Sequence, residues 1–207
     1  EVWTAQVAEN ASGYYMSLAP LVADGKVLVG TSGGELGIRG FVSAFDAQTG
    51  KELWKTHVVP APGEPGSETW PKGEEWKTGG GSVWVTANYD PATNLSFWGT
   101  GNGGPWMGDQ RPGDNLYIGS TVAIDVATGQ IKGHMQYNPN ESWDWDEVSP
   151  PILVTQVPLR VETQFAQPLS GVRQGNGMQR RMVERQMNGG GRRDERRERQ
   201  ALREREA

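Results

Sequence analysis

The chain has 207 residues, enough for one domain or part of a larger one, and a formal net charge of −5, a balance that gives no reason to expect nucleic acid as a partner. The absence of cysteine excludes disulfides and thiolate metal sites, and no apolar run is long enough to span a membrane. Glycine (29) and tryptophan (9) are abundant while hydrophobic residues make up only 35%, which argues for an all-β chain with many turns.

Glu1-Val2-Trp3 repeats the pattern of Glu52-Leu53-Trp54, so the chain is expected to begin inside a repeat. Asp24-Gly25, flanked by apolar residues, signals a hairpin. Val27, Leu28 and Val29 are suited to a buried strand. The glycine-rich loop that follows carries one carboxylate, Glu35, and its backbone can approach a ligand closely. The next strand ends in Asp46-x-x-Thr49-Gly50, where Asp bonds its own backbone and Gly accepts positive φ; Trp54 falls in the strand after that. Residues 60–82, rich in Pro, Gly and Glu, read as a long surface loop. Residues 83–87 and 95–100 read as strands around a turn at 90–94. A second glycine-rich loop, 101–114, carries Asn102, Trp106 and Asp109. A strand at 120–125 closes in Val126-Ala127-Thr128-Gly129.

These segments form an internal repeat. Gly30-Thr31 matches Gly99-Thr100 at an offset of 69, and Asp46-x-x-Thr49-Gly50 matches Asp125-x-x-Thr128-Gly129 at an offset of 79, so the later copy has a loop longer by 10 residues. Repeated four-strand units with variable loops on one face indicate a β-propeller whose loops converge at one end of the channel. Gly133 stands in the second copy where Trp54 stands in the first, so a docking tryptophan is not kept in every repeat. Beyond residue 154 there is no Trp or Lys, and Arg alternates with Glu over 192–207. The expected division is a partial propeller over 1–154 and a low-complexity tail over 155–207. That tail is read as disordered or an isolated helix, and its abrupt shift in composition also fits a frameshifted C-terminus.

Three loops carry candidate chemistry through Glu35, Asn102 and residues 143–147, Trp-Asp-Trp-Asp-Glu. Carboxylate and amide oxygens suit a hard cation, and Trp143 and Trp145 are expected to wall off Asp144 and Asp146. Trp84 and Trp106 suit either stacking on a flat ligand or ordinary blade packing. His57 and His134 lack a paired nucleophile and read as structural. No Ser-His-Asp arrangement or phosphate-binding loop is present.

Gly30-Thr-Ser-Gly-Gly-Glu-Leu-Gly-Ile-Arg-Gly40, Gly99-Thr-Gly-Asn-Gly-Gly-Pro-Trp106 and Ser142-Trp-Asp-Trp-Asp146 together resemble the pyrroloquinoline-quinone (PQQ) dependent alcohol dehydrogenases of the methanol and ethanol type. The resemblance implies about three blades of an eight-bladed propeller. It implies oxidation of a primary alcohol to an aldehyde, with hydride transfer to PQQ, and a cofactor set of PQQ plus Ca²⁺ or a lanthanide ion. Glu35, Asn102, Asp144 and Asp146 are the implied metal set, with Asp144 also the general base; the extra carboxylate at Asp146 suits a trivalent ion. Ser17, Ser32, Gly33, Gly34 and Ser82 are implied around the cofactor, with Trp84 as the indole beneath it. The implied partners are a small alcohol and a cytochrome c-type electron acceptor, with a periplasmic location and room for a homodimer in the full-length form. The family's vicinal cysteine pair would lie before residue 1 and its later arginine segment is not reproduced in the tail; without the remaining blades the propeller cannot close, so the isolated chain is expected to be inactive or weakly stable. The competing reading is a non-catalytic propeller scaffold, which has no need of Glu35, Asn102 and Asp144.

Overall fold

The computed structural model describes residues 1–154; the expectations for the tail lie outside the described residues. Among the described residues, two four-stranded antiparallel meanders account for the strands. The first is β1 (Leu21–Ala23), β2 (Lys26–Gly30), β3 (Phe41–Asp46) and β4 (Glu52–His57); the second is β5 (Asn88–Asp90), β6 (Leu95–Gly99), β7 (Ser120–Asp125) and β8 (Ile131–Gln136). The fold is all-β, and two of the expected blades are complete sheets. The β1–β2 hairpin forms where Asp24-Gly25 signalled it, with φ of 47° and 70°, the left-handed pair that a two-residue turn of this kind requires.

The repeat holds down to register. β2 pairs Lys26 with Asp46 as β6 pairs Leu95 with Asp125. Ala44 faces Trp54 as Ala123 faces Gly133, and both sheets shift register at the next residue. Middle strands are buried and fourth strands exposed, as a stack of twisted blades demands. The core lies between the sheets: Leu28, Val42 and Ala44 meet Trp98, Val122, Ile124 and Val126. Trp98 is fully buried and donates its indole N–H to Ser96 Oγ at 2.9 Å, which satisfies its one polar atom.

Tryptophan docking repeats as well. The Trp54 indole N–H donates to Val126 O at 3.1 Å, and its ring lies where a Cβ on Gly129 would stand. Trp3 does the same one sheet earlier, donating to Ala47 O at 3.0 Å with its ring against Gly50. Each turn is braced by its own aspartate, Asp46 Oδ1 accepting from Thr49 N at 2.8 Å and Asp125 Oδ1 from Thr128 N at 2.9 Å.

Two expectations are corrected. Residues 83–87 are not a strand, because their backbone groups are divided between partners. Val83 N donates to Thr31 O of the first sheet's loop at 2.7 Å, while Trp84 O accepts from Ser17 Oγ at 3.0 Å. Only at Asn88 does a ladder begin. The segment 60–82 is not wholly surface either: Trp70 is buried with Val59 and Ile118 in a small second core, and its indole donates to Leu116 O at 2.5 Å.

Candidate cofactor and metal site

The loops after β2 and β6 end up side by side because the two sheets repeat. Gly80 bridges to Arg39 and to Gly103, and Gly81 N donates to Asn102 O at 2.8 Å. A cleft of about 330 Å³ opens where these loops meet the segments around residues 15 and 144. Ser17, Ser32, Gly33 and Glu35 line one side, Ser82 and Trp84 another, and Asn102, Asp144 and Asp146 a third. Gly34 faces an adjoining cavity instead, and its N–H donates to Ser82 Oγ at 2.7 Å. Ser17 Oγ and Ser32 Oγ lie 2.8 Å apart. Gly33, at φ 112°, packs on the carbonyl of Gly13 so closely that a Cβ would overlap it.

The acidic side is built by approach of the 140–147 loop to Asn102. Asp146 Oδ1 accepts from Asn102 N at 2.6 Å, and Gly101 leaves room for that carboxylate. With the Asn102 amide oriented by its neighbours, Nδ2 donates to Asp146 Oδ1 at 3.2 Å and the amide oxygen accepts from the Trp106 indole. Burial raises the Asp146 pKa above its ordinary value; the Asn102 N–H opposes this, and the charges of Asp144, Glu141 and Glu35 add to it. Asp144 is exposed at the mouth with φ 64°. Glu35 is exposed and accepts from Tyr15 OH at 2.7 Å, a bond that, ahead of burial, raises the tyrosine pKa.

The walls differ from the expectation. Trp143 and Trp145 are 74% and 58% exposed, so they do not enclose the carboxylates. Trp84 and Trp106 line the cleft instead, since residues 143–145 bend outward around Glu141. Tyr15 was missed because nothing near it in sequence hints at a contact with Glu35, 20 residues later. Arg111 and Glu141, both buried, were missed too; a signal existed in Arg111, the one basic residue in the loop 101–114.

The cleft suits a hard cation beside a flat ligand. Its metal-seeking atoms are all oxygens, and its half-buried carboxylate, Asp146, carries more negative neighbours than positive ones. Among the described residues no three His, Cys, Asp or Glu side chains converge at ligating distance, so the set shares a cleft without being drawn together. The Trp84 indole N–H is buried and finds no partner among the described residues. A hydrogen-bond acceptor at the N–H edge of that ring would satisfy it.

The family model for the PQQ type "Glucose/ethanol/alcohol dehydrogenase, beta-propeller domain" matches residues 3–164. The chain belongs to this family. It is 40% identical over 165 residues to quinoprotein alcohol dehydrogenase PedH of Pseudomonas putida, covering 72% of this chain and 27% of that protein. Identity to methanol dehydrogenase [cytochrome c] subunit 1 of Methylorubrum extorquens is 35% over 173 residues, covering 75% of this chain and 28% of the relative. A solved europium-containing methanol dehydrogenase superposes with a TM-score of 0.68 at 38% identity, covering 74% of this chain and 30% of that one. The chain thus spans under a third of the length of these quinoproteins. Among the described residues no helix is long and apolar enough to cross a membrane.

Proposed function

We propose that the cleft is the PQQ and metal site of a dehydrogenase that oxidises small primary alcohols to aldehydes. The observation that carries the reading is the gathering of Ser17, Ser32, Glu35, Trp84, Asn102, Asp144 and Asp146 from distant segments into one cleft. A propeller scaffold would have no use for an acidic cleft beside a flat indole. When bound, PQQ supplies the acceptor for the hydride and the metal ion supplies a Lewis acid. Trp84 offers a flat face, and the Ser17, Ser32 and Ser82 hydroxyls with the backbone of Gly33 and Gly34 suit anionic groups. Glu35, Asn102, Asp144 and Asp146 would hold the ion. Asp144, exposed at the mouth, accepts the alcohol proton on its carboxylate.

Three carboxylates lining one cleft favour a trivalent lanthanide over Ca²⁺, and a lanthanide-group metal is named in the europium-containing relative. A cytochrome c-type acceptor fits the name of the Methylorubrum relative. Electron delivery to such a partner fits a periplasmic location, and the same full-length protein is the form in which a homodimer is to be sought. The test is titration of the protein carrying this chain with PQQ and either La³⁺ or Ca²⁺, following the quinone absorbance. Asp144→Asn is expected to keep the spectral response and lower alcohol-dependent dye reduction by about 10²–10⁴-fold, the ordinary worth of a general base. A quinone spectrum indifferent to both metals overturns the reading.

A further inference from the structure

Arg111 is completely buried, yet no carboxylate lies within ion-pair distance of it among the described residues. A guanidinium is not kept from water without replacement partners, and here every partner is neutral. Its Nε donates to Pro105 O at 2.7 Å, Nη1 to Asn115 Oδ1 at 2.7 Å, and Nη2 to Trp106 O at 3.4 Å and to Glu141 O. Pro105 and Trp106 belong to the loop that carries Asn102. Glu141 begins the segment that carries Asp144 and Asp146. One side chain therefore fastens the two acidic-side loops to each other through their backbones.

Glu141 continues the fastening. It is 1% exposed, and its Oε1 accepts from Trp143 N at 2.5 Å and from Trp145 N at 3.2 Å. These two amides bracket Asp144, and the second immediately precedes Asp146. The bonds fold the backbone over the carboxylate and hold Asp144 at its left-handed φ of 64°. Asn140 and Ser142 add stitches, Asn140 Nδ2 donating to Gly113 O at 3.0 Å and Ser142 Oγ accepting from Gly108 N at 3.1 Å.

We infer that Glu141, anchored through Arg111, is a positioning residue that sets the Asp144–Asp146 segment against Asn102 and so governs metal affinity. The role is one of reach more than charge: Oε1 makes both bonds, while Oε2 is buried with no partner. Partners of this kind behind a metal set typically change affinity by 10–100-fold when altered. The inference rests on the reading of the cleft as a metal site.

The test is Tb³⁺ binding by the full protein, read as terbium luminescence sensitised by the nearby tryptophans, alongside the thermal midpoint. Glu141→Gln keeps the accepting oxygen at the same reach and removes the charge. Glu141→Asp keeps the charge and withdraws the oxygen by one methylene. The expectation is that E141Q binds terbium within about 3-fold of wild type, while E141D loses about 10–100-fold with an unchanged thermal midpoint. Arg111→Lys, which cannot span the four acceptors, is expected to lose affinity like E141D. The inference is overturned if E141D binds within 3-fold of wild type or if E141Q loses as much as E141D. If wild type binds no terbium, the metal-site reading itself falls and takes this inference with it.

Discussion

At the residue scale, two side chains hold unusual states for identifiable reasons. Asp144 adopts a left-handed backbone that Asn and Asp tolerate better than other residues. Asp144→Asn is therefore expected to leave stability within about 0.5 kcal/mol of wild type, whereas Asp144→Val, β-branched at the same φ, is expected to cost ~1–3 kcal/mol in urea unfolding. His57 sits beside the Phe41 ring, 5.6 Å between centroids. Burial foremost, then the Arg39 charge, lowers its pKa from 6.5 to about 4, with Glu64 opposing. The folded state thus resists protonation while the unfolded chain accepts it. His57's contribution to stability is complete above pH 6.5 and declines as pH falls from there towards about 4. His134, lowered by burial, acts in the same direction; Asp146, raised by burial, acts in the opposite one. His57→Gln is expected to flatten the fall of the thermal midpoint between pH 6.5 and pH 4, while a slope unchanged from wild type would assign that fall to other groups.

At the element scale, the loop after β2 is shaped by contacts that its glycines permit. Gly33 lies at φ 112° against the Gly13 carbonyl, so Gly33→Ala meets both a disfavoured conformation and an overlap with backbone. It is expected to cost at least ~1–3 kcal/mol and to weaken metal binding, because Ser32 and Glu35 ride on the same turn. A methyl group added at Gly25 would face open space, although φ is positive there too. Gly25→Ala is thus expected to cost stability while leaving metal affinity untouched, and Tb³⁺ titration of both variants separates the two effects. The β2 loop and the repeat of the Asp-x-x-Thr-Gly turn were legible because turn chemistry is local. The fate of residues 83–87 was not. Val83-Trp84-Val85-Thr86 has every strand preference, but its neighbours offer isolated acceptors in place of a continuous edge, and Trp84 is spent on the cleft.

At the scale of the whole molecule, the two sheets are joined through a shared core and through tryptophans seated on the next unit's turn. Trp54→Ala removes a partly exposed ring and its bond to Val126 O, and is expected to cost about 3 kcal/mol, the low end for truncating a tryptophan. Trp54→Phe keeps most of the packing and forfeits the bond, for about 1 kcal/mol; equal losses for the two would mean that packing against Gly129 contributes little. The same seating by Trp3 shows why Glu1-Val2-Trp3 resembles Glu52-Leu53-Trp54. The amino-acid sequence by itself determined the all-β repeat, its turns, the docking indoles and the oxygen-bearing residue types of the proposed site, because all of these follow from local propensity, spacing and donor chemistry. Only the tertiary structure decided which of those residues meet. It turned Trp143 and Trp145 outward, put Trp106 and Tyr15 at the cleft, and buried Arg111 and Glu141 behind it. Contacts between segments far apart in the chain depend on how two twisted sheets pack, and no local pattern records that.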